Sequence, residues 1–91
     1  MTIDKLFKII KDRQLKMPSG SYVASLFKAG KDRIIQKIGE EATEVVIAAK
    51  NESKKRVISE AADLLFHLLV LLASKNISIS DIEKELESRN K

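Results

Sequence analysis

The amino-acid sequence predicts an all-α protein, a bundle of four to five helices, on three observations. Apolar residues recur at helical spacing along most of the chain. Strict apolar–polar alternation, the mark of a half-buried strand, never persists for more than a few residues. Only three Gly and one Pro punctuate 91 residues, which suits long helices joined by short turns.

Taken in order, residues 3 to 16 place Ile3, Leu6, Phe7, Ile10 and Leu15 on one side with charges between them, and Pro18 and Gly20 end that helix. Ser21 to Ala29 reads as a short second helix, with Gly30 where a C′ glycine closes it. A third helix is expected from Lys31 to Lys50, its apolar stripe made of Ile34, Ile35, Ile38, Ala42, Val45, Val46 and Ala49. Asn51, Glu52 and Ser53 are expected to turn the chain. The fourth helix starts near Lys54 and runs to about Lys75, with Asn76 as its C′ residue. Between Leu64 and Ala73 it is apolar on almost every face, and such a helix has to be covered all round. So short a chain has few helices to do that, which predicts a homodimer or higher homo-oligomer that completes the core. The last helix is expected to open on Ser80-Asp81-Ile82-Glu83 as a capping box.

Composition bounds the function. One domain spanning 1–91 is the expectation for this length. The absence of Cys removes disulfides, zinc–thiolate sites and thiol nucleophiles. A net charge of +4 is too mild to imply nucleic acid, although it suits a polyphosphate ligand. The N-terminus has no basic stretch followed by an apolar one, and the run Leu64–Ala73 is shorter than the roughly 20 residues that span a bilayer. No nucleic-acid or membrane partner is therefore expected, and the expected compartment is the cytoplasm.

Two acidic motifs hold most of the chemical information. Glu40-Glu41-Ala42-Thr43-Glu44 lies on the third helix and Glu60-Ala61-Ala62-Asp63 on the fourth. Residues three apart share a helix face, so Glu41 points with Glu44 and Glu60 with Asp63. Glu41 falls at the margin of the apolar stripe and Glu40 well outside it. Packed as an antiparallel hairpin, the two helices bring four carboxylates together. Their repulsion either raises pKa values or recruits a cation, and an all-oxygen ligand set suits Mg²⁺, with Mn²⁺ as a substitute. A solvated acidic face is the usual meaning of an isolated pair of Glu; two motifs beside apolar stripes on consecutive helices favour the site.

These motifs resemble those of the all-α nucleoside triphosphate pyrophosphohydrolases, which include the MazG-type enzymes. Gly20-Ser21-Tyr22, Leu26-Phe27, Gly30, Lys37-Ile38-Gly39-Glu40-Glu41-Ala42 with Glu44, and Glu60 through Leu71 together resemble the phosphoribosyl-ATP pyrophosphatase family over residues 3 to 86. Val23 departs from the Thr common there. The resemblance implies a MazG-like fold and the hydrolysis of phosphoribosyl-ATP to phosphoribosyl-AMP and pyrophosphate, the second step of histidine biosynthesis, in a stand-alone form without a fused cyclohydrolase domain. It further implies Mg²⁺ held by Glu41, Glu44, Glu60 and Asp63. Glu40 and Glu41 are the candidate catalytic residues, Glu40 orienting water or a second metal ion.

Lys37, one turn before Glu41, is a candidate phosphate ligand, with an ion pair to Glu41 as its structural alternative. Arg33 extends that basic track, and Ser21 and Tyr22 are candidate substrate contacts or, alternatively, a helix cap and a half-buried aromatic. His67 is read as a hydrogen-bonded core residue in preference to a metal ligand. Two other functions compete: a house-cleaning MazG-type nucleoside triphosphate pyrophosphohydrolase, and a non-enzymatic helical interaction or nucleic-acid module.

Overall fold

A computed structural model of the chain describes residues 1–51 and 53–90. Five helices follow one another: α1 Ile3–Lys16, α2 Tyr22–Ala29, α3 Lys31–Asn51, α4 Lys54–Ser74 and α5 Ile79–Arg89. No strand occurs among the described residues, so the expected all-α bundle is what forms. The most extensive packing is α3 against α4, followed by α1 on α4 and by α2 on α3 and α1.

The boundaries follow from capping chemistry. Thr2, Ser21, Ser53 and Ser78 stand at N-caps, each side-chain oxygen accepting from a backbone N–H of the first turn. α1 closes on Met17 at φ 48°, its N–H donating to the Arg13 carbonyl. Gly30 closes α2 at φ 101° and ψ 179°, a conformation that L side chains rarely adopt. At the end of α4 the expected role of Asn76 is met: with φ 57° its N–H donates to Ala73 and that of Ile77 to Leu72, a Schellman motif. Asn51 is the last residue of α3 and Ser53 caps α4; Glu52, expected in that turn, lies outside the described residues.

The entry to α5 corrects one expectation. The capping box is Ser78 with Asp81, not Ser80 with Glu83: the Ser78 hydroxyl accepts from the Asp81 N–H and the Asp81 carboxylate from the Ser78 N–H. Starting two residues earlier turns Ile79 and Ile82 toward Leu72 and Leu69 of α4.

The apolar core occupies one end of the molecule. Ile10, Val23, Leu26, Ile34, Leu69, Val70 and Ala73 form it, with Phe7, Phe27 and Phe66 packed at its edge. Midway along the α3–α4 hairpin the residues between the helices turn polar, and beyond them Val45 and Ala48 are apolar again. On α3 the inward line runs Ile34, Ile38, Glu41, Val45, Ala48, so Glu41 sits within the stripe and not at its margin. Ile35, Val46 and Ala49, expected in that stripe, are exposed on a second apolar flank. On α4 the inward line carries Glu60 and His67, both buried.

The apolar surface of α4 is only partly covered within one chain. Leu65 and Leu68 line an apolar groove of about 220 Å³ with Ile3, Leu69, Leu72, Ile79 and Ile82. The full 21-residue α4, unlike its Leu64–Ala73 run, is long and apolar enough to cross a membrane by length and composition. Here it is the central helix of the bundle, with an acidic residue and a histidine turned inward.

Candidate active site

The polar belt of the hairpin is built by two helical periodicities meeting. Glu41 comes from the middle of α3; Glu60 and Asp63, one turn apart, come from the N-terminal half of α4. One carboxylate oxygen of each of the three lies within 4.8 Å of the others. Glu60 is 6% exposed, Glu41 is partly buried and Asp63 opens to solvent, so the cluster has one dry wall and one open side. Glu44, expected with them, is exposed one turn beyond Glu41 and outside this group.

Cations compensate the cluster at two points. The Lys37 Nζ lies 3.2 Å from Glu41 and 3.5 Å from Glu40, while Arg56 stands 3.7 Å from Glu60. The hydrogen bond to Glu41 holds the Lys37 ammonium protonated above the ordinary lysine range, against a partial burial that pushes the other way; Tyr22 and the two glutamates add to the upward shift. Lys37 thus makes the ion pair with Glu41 that its spacing allowed. Arg33 pairs with Gln36 at 3.1 Å and approaches Glu40 at 3.9 Å, so Glu40 stands between two cations on the outer side of α3. Three oxygen donors on rigid helices, with an open side for water or phosphate, are a donor set that fits a hard divalent ion.

Next to the carboxylates lies an arrangement that the sequence reading did not find. The Tyr22 phenol is 2.9 Å from His67 Nε2, and His67 Nδ1 is 2.7 Å from the Asp63 backbone carbonyl. Tyr22 stacks on Phe66 with centroids 6.0 Å apart, and Phe66 meets the edge of His67 at 5.0 Å. His67 is therefore a fully hydrogen-bonded buried residue, as its place on an apolar helix suggested. Its partner is 45 residues away, which no helical spacing could reveal. The Ser21 hydroxyl caps α2 by accepting from the Ala24 N–H.

An all-helical hairpin that sets carboxylates from both of its arms against one another, beside a lysine, fits the class of all-α pyrophosphohydrolases. Comparison with known proteins makes this specific. The family model for phosphoribosyl-ATP pyrophosphohydrolase matches residues 3–90. A phosphoribosyl-ATP pyrophosphatase of Clostridium botulinum (strain Hall) is 53% identical over 87 residues, covering 96% of this chain and 79% of that protein. One from Sulfolobus acidocaldarius is 51% identical over 89 residues, 98% of this chain and 94% of the relative. The histidine biosynthesis bifunctional protein HisIE of Caldanaerobacter subterraneus is 52% identical over 89 residues, and the chain spans 43% of its length. The chain belongs to the phosphoribosyl-ATP pyrophosphohydrolase family.

Proposed function

We propose that this chain hydrolyses phosphoribosyl-ATP to phosphoribosyl-AMP and pyrophosphate, the second step of histidine biosynthesis, as a soluble cytoplasmic enzyme. The observation that carries this reading is the meeting of Glu41, Glu60 and Asp63 between the two arms of a hairpin in a chain of this family. One water is consumed: its oxygen ends on phosphorus at one side of the broken anhydride, and the bridging oxygen leaves with the other.

Glu41, Glu60 and Asp63 are the residues to hold Mg²⁺, with Mn²⁺ as a substitute, and Glu44, exposed one turn beyond Glu41, is the fourth residue assigned to it. When bound, the ion would supply Lewis-acid polarisation of phosphate oxygens and offset charge developing on them. Lys37 already sits beside Glu41, where its ammonium can transfer hydrogen bonds from carboxylates to an incoming phosphate. Arg33 lies one turn further along the same side. Glu40, held between these cations and outside the carboxylate trio, is assigned to orient the attacking water or a second metal ion. Tyr22, hydrogen-bonded to His67, borders the site from α2, and Ser21 at the N-cap is kept as a second proposed substrate contact.

The second apolar flank of α3 and the groove on α4 support a homodimer in which these surfaces are paired. Pyrophosphate release from phosphoribosyl-ATP and from ATP, each with and without Mg²⁺, tests the reaction. Mg²⁺-dependent release from phosphoribosyl-ATP is expected. Release from ATP alone would move the assignment to a house-cleaning MazG-type activity, and release from neither, in a folded protein, would abandon hydrolysis.

A further inference from the structure

The His67–Tyr22 pair has a direction that the local chemistry fixes. A backbone carbonyl can only accept, so the contact between Asp63 O and His67 Nδ1 requires the ring proton on Nδ1. In the neutral ring Nε2 is then an acceptor, and the Tyr22 hydroxyl must donate to it. A half-exposed tyrosine ordinarily turns its hydroxyl freely among waters. Here the hydroxyl proton is committed to a buried nitrogen, and the ring is held flat against Phe66 with centroids 6.0 Å apart. Only the lone pairs of the phenol oxygen remain for anything that enters the site.

We propose that His67 is a positioning residue that fixes Tyr22 as a hydrogen-bond acceptor, so that Tyr22 recognises a donor on the nucleoside part of the substrate and not its phosphates. Phosphate oxygens at neutral pH are acceptors and find nothing to pair with on this phenol. A sugar hydroxyl or a base amine does. Lys37, paired with Glu41, offers donors to the phosphates, and Tyr22, reaching from α2 to within electrostatic reach of Lys37, offers an acceptor beside them. His67 ties the two together, since its second nitrogen is anchored on the backbone of Asp63 at the carboxylate cluster. Holding the phenol in one orientation before the ligand arrives spares the binding step that ordering cost.

This role rests on the reaction proposed above. The test is steady-state kinetics on phosphoribosyl-ATP together with inhibition by pyrophosphate, for the wild type, Tyr22→Phe, His67→Leu, His67→Gln and the Tyr22→Phe/His67→Leu double variant. Losing one neutral hydrogen bond is expected to raise KM about three- to tenfold in Tyr22→Phe and His67→Leu, with kcat within about twofold and pyrophosphate inhibition unchanged. The double variant should be no worse than either single one, and His67→Gln, which restores an acceptor near the Nε2 position, should recover most of the loss. Tyr22→Phe keeps the ring on Phe66 and removes only the hydroxyl of a half-exposed side chain, which keeps the experiment readable should a His67 variant fold poorly. Additive losses, no recovery in His67→Gln, or weakened pyrophosphate inhibition in Tyr22→Phe would overturn the role while wild-type turnover stands. A wild type that fails to turn over the substrate would bring down the proposed reaction and this role with it. Repeating the comparison by calorimetric binding of AMP, 2′-deoxy-AMP and IMP identifies the donor, because the analogue that lacks it is bound equally by wild type and Tyr22→Phe.

Discussion

Glu41, Glu60 and Asp63 show how much a residue's meaning depends on the line it occupies. Each is an ordinary acid by sequence neighbourhood, and Glu41 even has a lysine one turn away to pair with. What sets them apart is that Glu41 and Glu60 lie on the inward lines of α3 and α4, where apolar residues would serve the fold better. Such positions trade stability for chemistry, because gathered anions repel. Asp63→Asn should therefore reduce Mg²⁺-dependent pyrophosphate release by about two to three orders of magnitude, the rate equivalent of several kcal/mol. Thermal unfolding of the same variant without Mg²⁺ should be unchanged or shifted upward. The substitution spares the His67 contact, which uses the Asp63 backbone carbonyl. Full activity in Asp63→Asn and in Glu41→Gln would remove both residues from the site.

At the scale of the element, the helix ends were legible wherever one side chain decides them. Ser21, Gly30 and Asn76 cap as their chemistry predicts, because each satisfies backbone groups within its own turn. The start of α5 was misplaced because two serines compete there, and the choice is made by Ile79 and Ile82 meeting α4, a contact that local sequence does not contain. The Ser78–Asp81 box carries a prediction. Ser78→Ala is expected to cost about 1 kcal/mol of stability in urea unfolding at neutral pH. The hydrogen bonds from Ser78 hold the Asp81 carboxyl below the ordinary aspartate range. A group whose folded pKa is depressed stabilises the fold above its unfolded value, here 3.8, and loses that contribution as pH falls through the folded value. Asp81→Asn should accordingly be less stable than wild type at pH 7, with the gap closing below about pH 4. A constant difference across that range would separate the cap from the ionised carboxylate.

The whole molecule is more open than its length requires. Its Cα radius of gyration is 14.3 Å, where a compact chain of this length has about 12 Å. Its accessible surface is 6556 Å², about 1,200 Å² more than is usual for a monomer of this mass. The excess exceeds the roughly 800 Å² per partner of a standard interface. Ile58, Val46 and Leu86 are each more than half exposed, on α4, α3 and α5. Sedimentation equilibrium is expected to give twice the chain mass, and Leu68→Glu, in the α4 groove, to shift the balance toward monomer; a monomeric wild type would refute the pairing. The sequence reading anticipated an uncovered apolar helix because hydrophobicity on all faces is a property of α4 alone. It placed the α3 stripe too broadly, since Ile35 and Val46 are as apolar as Ile34 and only the neighbouring helix decides which of them turns inward. The Tyr22–His67 contact was beyond reach for the same reason, being a product of where α2 lands.

That the carboxylates belong to a single hairpin also has a kinetic consequence. Only 19 residues separate Glu41 from Glu60, by the difference of their positions, so the entropy of closing the chain between them is small and grows slowly with length. A site collected from remote segments meets its own repulsion late, after most of the fold is in place. Here the anions are forced together when α3 first docks on α4, the most extensive helix pair in the molecule. The electrostatic burden therefore falls on the α3–α4 pairing itself.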